Sequence, residues 1–190
     1  MTENADRKRD NARSFGDAAS AYFDSDAHRA GDDLATLAEW CTDATRVLDV
    51  ATGAGHTAGA VAAASAGDVV ATDLTPEMVA TATREFDLPG VVADAERLPF
   101  ADDSFDAVTC RIAAHHFPDP EAFVSEVARV LEPGGPSLSK TTSFPKTTTS
   151  RRFSTISNVC ATRHTSRSPP NRSGATGSRQ RESKSTPRND

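Results

Sequence analysis

The sequence predicts an α/β fold, a doubly wound parallel sheet with helices on both faces. From Arg46 onward, short apolar runs alternate with helical stretches, the pattern of repeated β-α-β units. The first apolar run ends in a glycine-rich turn, Thr52-Gly53-Ala54-Gly55, that leads straight into a helical stretch.

The elements follow in order. Before Arg46, residues 11–23 and 28–41 read as two amphipathic helices. RVLDVA (46–51) is a buried strand. HTAGAVAAAS (56–65) is an alanine-rich helix, with Gly67 placed to stop it. VVATD (69–73) is a second strand. Thr75-Pro76-Glu77 opens a helix to about Phe86, with a hydroxyl cap, a proline at the first position and an acid in the first turn. VVA (91–93) is a short third strand and SFDAVTCR (104–111) a fourth, with Phe100 and Phe105 as core anchors and Asp102 and Asp103 in a solvated turn. Asp119-Pro120-Glu121 opens a last helix with Phe123, Val124, Val127, Val130 and Leu131 on one face, closed by Gly134-Gly135.

Charge divides the chain. Residues 1–135 hold 25 acids and 10 bases, whereas residues 136–190 hold 2 acids and 11 bases. The acidic part has a single lysine, Lys8, a composition suited to solubility in high salt; it argues against nucleic-acid binding by the core. Three cysteines without CxxC spacing exclude a disulfide scaffold or zinc ribbon, and no metal site is expected. No apolar stretch approaches a membrane span and the polar N-terminus has no signal-peptide core, so the expectation is a cytoplasmic protein without membrane partners. In residues 136–190, 22 of 55 positions are Ser or Thr and eight are apolar, too few to bury a core. Three regions result: N-terminal helices (1–45), an α/β core (46–135) and a disordered basic tail (136–190).

Several residues could carry chemistry. At Gly53 and Gly55 the backbone can approach a ligand at a helix N-terminus, and Gly53-x-Gly55-x-x-Ala58 also satisfies a dinucleotide fingerprint; the alternative is a tight turn and nothing more. Asp73, at the end of the second strand, can accept hydrogen bonds from ribose hydroxyls or be a solvated acid. Asp94 and Ala95, after the third strand, can meet a base edge or cap the next segment. His115-His116, after the fourth strand, can supply a general base or only cap carbonyls and face solvent.

VLDVATGAG, ATDLTPEM, ADAERLPFADDSFDAV and VARVLEPGG, in this order and spacing, resemble class I S-adenosylmethionine (SAM)-dependent methyltransferases of type 11, nearest the ubiquinone/menaquinone C-methyltransferase branch. YFDSDAHRAGDDL (22–34) resembles helices that close over the cofactor in one branch. The resemblance covers roughly residues 15–135 and implies a Rossmann-like sheet with SAM as cofactor. It implies that Gly53 and Gly55, with Asp49 beside them, face the methionine part. Asp73 would hold the ribose, Leu74 would pack on adenine, and Asp94 and Ala95 would meet the adenine edge. Cys110 and Arg111 would line the methyl-transfer pocket, with Tyr22 and His28 touching SAM from the lid.

After VARVLEPGG the family continues into a fifth, apolar strand, whereas this chain reads GGPSLSKTTSFPKTTTS. A shifted reading frame is expected here: KTTSFPKTTTS converts to EDDVVPEDDDL with G or C ending each codon, an acidic string like the first 135 residues. The family's last strands would then be lost, the fourth strand would become an open edge, and the activity of this chain would be impaired. The leading reading is a methyltransferase acting on a small-molecule acceptor that the sequence does not name, in an unknown oligomeric state. The alternatives are an NAD(P)-dependent oxidoreductase using the same glycine turn, or a non-enzymatic interaction protein with a basic tail.

Overall fold

The computed structural model describes residues 2–133 and 137–140. Four helices come first: α1 (Thr2–Asp17), α2 (Ala19–Asp24), α3 (Asp26–Arg29) and α4 (Asp32–Trp40). The sequence predicts two helices here. Ser25 is extended and separates α2 from α3, and an extended Ala30 followed by Gly31 (φ 134°) breaks the second stretch between α3 and α4.

Alternation then proceeds as expected through β1 (Arg46–Val50), α5 (His56–Ala64), β2 (Asp68–Asp73), α6 (Pro76–Phe86), β3 (Gly90–Val92), β4 (Ala107–Arg111), a 3-10 turn (Ala114–His116) and α7 (Pro120–Val130). Gly67 does not stop α5, which ends at an extended Ser65. A side chain at Gly67 would strike the Ala44 carbonyl, so this glycine permits close passage of two loops. Thr75 precedes α6 without a side-chain cap, and both its N–H and its hydroxyl are turned to Asp73. Asp119 does cap α7, accepting from the Ala122 N–H. That helix ends at Val130; Gly134-Gly135 lies outside the described residues.

One strand is added to the sequence reading. Residues Ser137–Lys140 form β5, parallel to β4, with Val108 opposite Ser137 and Arg111 opposite Lys140. The expected open edge at β4 is therefore covered, because main-chain pairing needs no apolar side chain. The rest of the segment assigned to a tail lies outside the described residues.

The sheet order is β3-β2-β1-β4-β5 and every pairing is parallel. Alternate residues serve opposite faces. Val47, Val69, Ala71 and Ala107 pack with Leu37 of α4 and with Ala58 and Val61 of α5. Leu48, Val50, Val108 and Cys110 pack with Phe105, and with Phe123 and Val130 of α7. Phe105 is fully buried with Phe100 edge-on against it, as expected. Strand order reverses between β1, with β2 on one side, and β4 on the other. In such sheets a crevice opens at the carboxyl ends of the strands at that point. Among the described residues no helix is long and apolar enough to cross a membrane, and no group of three metal-ligating side chains occurs.

Candidate functional site

A cavity of about 330 Å³ sits in that crevice. Its floor is the turn after β1. Ala51 (φ 53°) and Gly53 (φ 55°) are both left-handed there. A side chain at Gly53 would meet nothing within 4 Å, so the missing Cβ leaves space on the cavity side. The Gly53 N–H is donated to Asp73 Oδ2 at 2.9 Å, and Asp73 Oδ1 accepts from Thr75. Burial raises the Asp73 pKa against these hydrogen bonds. The Thr75 hydroxyl and the Leu74 N–H add to these contacts, and Asp73 lines the cavity beside the glycine turn. Leu74 and Met78 add apolar lining beside it.

Asp49 and Gly55 are not among the residues that line this cavity; they stand behind its floor. Asp49 is 1% exposed, and its oxygens accept from the Thr52 and Thr109 hydroxyls at 2.7 Å. Burial pushes its pKa up to about 6, with those hydroxyls opposing. Asp49 thus braces the turn from below. Gly55 (φ 95°) is buried, and a Cβ there would lie 2.8 Å from the Ala82 backbone; its role is close packing of α5 on α6.

Asp94 and Ala95 line the far wall, where the chain leaves β3. Asp94 Oδ1 accepts from the Glu96 N–H, and Oδ2 accepts from Lys8 Nζ at 2.7 Å. Lys8 also pairs with Glu96, whose other oxygen accepts from the Asp119 N–H. Burial opposes the Lys8 charge, but the two carboxylates outweigh it and its pKa is raised.

The opposite end lies beyond β4. Arg111 reaches the cavity, but its guanidinium is engaged by the N-terminal segment. Nε donates to Asp33 Oδ2 and Nη1 to the His28 carbonyl, each at 2.9 Å, and Nη2 lies 3.3 Å from Asp33 Oδ1 and from the Ala30 carbonyl. Its side chain is 5% exposed. Cys110 is buried on the α7 side of the sheet and does not reach the cavity. Ile112 is left-handed (φ 56°), a rare conformation for a β-branched residue, and it turns the chain into the cavity rim.

Rings line this end. His28 packs on Tyr22 (4.8 Å between centroids), Tyr22 on Phe15 (5.6 Å), Phe15 on His116 (5.1 Å) and His116 on His115 (3.9 Å). Burial lowers the pKa of His28, as does the nearby Arg111 charge; burial and His115 lower that of His116.

The structure therefore gathers Tyr22, His28, Gly53, Asp73, Leu74, Asp94, Ala95, Arg111, His115 and His116 around one cavity. Sequence reasoning missed Lys8, Phe15 and His56. Lys8 had a signal, since it is the lone lysine of the acidic part. Phe15 and His56 had none; His56 Nε2 donates to the Phe23 carbonyl and the ring stacks on that of Phe23.

A parallel sheet with a glycine turn, an acid ending the second strand and a cavity at the switch point defines a nucleotide-cofactor-binding α/β domain. Residues 48–138 match the family described as methyltransferase domain. The chain is 41% identical over 133 residues to the Bacillus subtilis protein named "Uncharacterized methyltransferase YcgJ", covering 66% of this chain and 52% of that protein. The crystal structure of YcgJ superposes with a TM-score of 0.54, covering 64% of this chain and 53% of that one at 40% identity. A demethylmenaquinone methyltransferase of Mycobacterium sp. (strain KMS) is 42% identical over 111 residues, 58% of this chain and 46% of that protein. A Haloferax volcanii protein solved in complex with the Trm112 methyltransferase activator gives a TM-score of 0.58 at 31% identity, covering 67% of this chain and 59% of that one. The chain spans about half the length of the curated relatives it matches.

Proposed function

We propose that this chain binds SAM in the cavity and serves methyl transfer to a small-molecule acceptor. The observation that carries this reading is the gathering of three separate segments around one cavity: the Gly53 turn, Asp73-Leu74, and Asp94-Ala95. The residues fit the cofactor. Gly53 leaves room beside its backbone, Asp73 puts a carboxylate in the cavity lining where ribose hydroxyls would lie, Leu74 and Met78 offer an apolar face for a base, and Asp94 can accept from an exocyclic amino group. The cofactor supplies an already activated methyl on a positive sulfur. What remains for the protein is proximity, orientation and, for some acceptors, removal of a proton.

The acceptor would lie against the rings beyond β4. Arg111 is committed to Asp33 and backbone carbonyls, so its guanidinium is not offered to the cavity. Rings and lowered histidine pKa values favour an uncharged, flat acceptor, with His115 or His116 as the proton acceptor.

We further propose that the reading frame changes near residue 135. The reversal of charge there and the continuity of the family match up to residue 138 support this reading. In that case the acceptor side of this chain is incomplete, and cofactor binding would outlast turnover. The acidic, lysine-poor surface suits a protein working in a salt-rich cytoplasm.

The test is calorimetric titration of the full chain with SAM, S-adenosylhomocysteine and NAD. Binding of the first two and not of NAD is expected. Binding of NAD alone would replace this reading by the oxidoreductase one. Sequencing the coding DNA across codons 130–145 tests the frame change, with one base gained or lost relative to the relatives as the expected result.

A further inference from the structure

Helix α1 is the cover of the cavity at its base end, where its Phe15 packs at the rim of a small cluster of Ala19, Ala54 and Met78 while the helix itself stays outside the core. It brings Lys8, Asn11, Ala12 and Phe15 to the cavity, positions i, i+3, i+4 and i+7 that share one helical face. None of residues 3–17 is buried. The firm bond of this helix to the wall opposite is the Lys8 ammonium between Asp94 and Glu96.

The two halves of this contact differ. The acceptors are fixed in advance: Asp94 is held by the Glu96 N–H, and Glu96 by the N–H of Asp119, the residue that caps α7. Lys8 stands on a long flexible stem, partly open to solvent at 19% side-chain exposure. The hinge is therefore on the lysine side. The same Asp94 carboxylate is the group proposed above to meet the adenine amino group.

We propose that Lys8 is a latch residue of the cofactor site: its ammonium, paired with Asp94 and Glu96, holds α1 across the base end, and the adenine passes in and out when that pair opens. Lys8 acts through Asp94 and the position of α1, which makes it a positioning residue. The inference rests on the cofactor reading given above.

The experiment measures dissociation of S-adenosylhomocysteine from the full chain by stopped flow, with competitor in excess. The chains compared are wild type, Lys8→Met, Lys8→Arg and Glu96→Gln. Lys8→Met should release the ligand at least about tenfold faster, Glu96→Gln should move the rate in the same direction, and Lys8→Arg should restore most of the wild-type rate. Raising salt from about 0.1 M to about 1 M shortens the screening length from about 10 Å to about 3 Å. Wild-type release should accelerate with salt, and Lys8→Met release should not, a difference that loss of packing alone would not produce. Rates for Lys8→Met within twofold of wild type, with the same salt slope, overturn the latch and leave the cofactor reading standing. Should Lys8→Met not fold, the wild-type salt slope and Glu96→Gln decide, and a flat slope overturns the proposal. Failure of the wild type to bind S-adenosylhomocysteine overturns both.

Discussion

The cavity has two kinds of wall, and they are built on different physics. The sheet side is packed from within. Asp49 is enclosed and doubly hydrogen-bonded, Gly55 lies against Ala82, and the strand ends are locked by parallel pairing on both sides of β1. The helical cover, α1 to α3, buries only Ala19 and is tied down at points of charge: Lys8 to Asp94 and Glu96 at one end, Arg111 to backbone carbonyls and to Asp33 of α4 at the other, whereas α4 itself packs Leu37 into the core. The difference teaches that the floor of the site is set once, on folding, whereas its cover is set by a few separable contacts. The two tie points also differ from each other. Arg111 uses a rigid fork and is nearly enclosed, while Lys8 offers one point charge near solvent.

The largest effect is expected at the enclosed tie. Arg111→Met leaves the Asp33 carboxylate, 16% exposed, without its guanidinium, and removing one partner of a buried pair costs about 3–5 kcal/mol. Hydrogen exchange should show residues 26–34 opening while β1 stays protected. Equal loss of protection in β1 would break the division between wall and cover.

The wall has its own signature, a dependence on pH. Burial raises the Asp49 pKa from 3.8 to about 6, so the folded state prefers the protonated acid. Stability from this group is fully present below about pH 4 and is lost as the pH rises through about 6. The shift corresponds to roughly 1–3 kcal/mol. Thermal melting of Asp49→Asn should show a flatter profile across that window than wild type; parallel profiles would refute the assignment.

Two glycine substitutions sharpen the contrast within the floor. Gly55→Ala drives a Cβ into Ala82 at a left-handed position and should lower stability by about 2 kcal/mol. Gly53→Ala meets no neighbour and carries only the conformational cost, about 1 kcal/mol. Urea denaturation gives the first difference. Titration with S-adenosylhomocysteine should show Gly53→Ala losing more affinity than its stability loss implies, because the added methyl enters the cavity.

The smallest effect is a control on the cover. The Arg9–Asp6 pair lies on the outer face of α1 with side chains 75% and 59% exposed. Arg9→Ala should leave both melting and ligand release unchanged, since exposed pairs contribute little. A change comparable with Lys8→Met would mean that α1 responds to its overall charge and not to the latch.

The sequence by itself determined the alternation of strands and helices, the glycine turn and the acid ending β2. These are local features, written in the period of apolar residues and in the few residue types that tolerate a left-handed turn. Local pattern also located Asp94 and the histidine pair at the ends of their strands. It did not reveal that Asp49 is sealed under the turn, because burial depends on the Thr52 and Thr109 hydroxyls closing over it, the second from a strand 60 positions away. Nor did it reveal β5, whose pairing uses main-chain groups that every residue carries. Which of 25 acids in the first 135 residues would meet Lys8, and which would meet Arg111, was decided only when the chain folded. Charge pairing acts between segments 78 and 86 positions apart, and a periodic pattern within one segment holds no record of it.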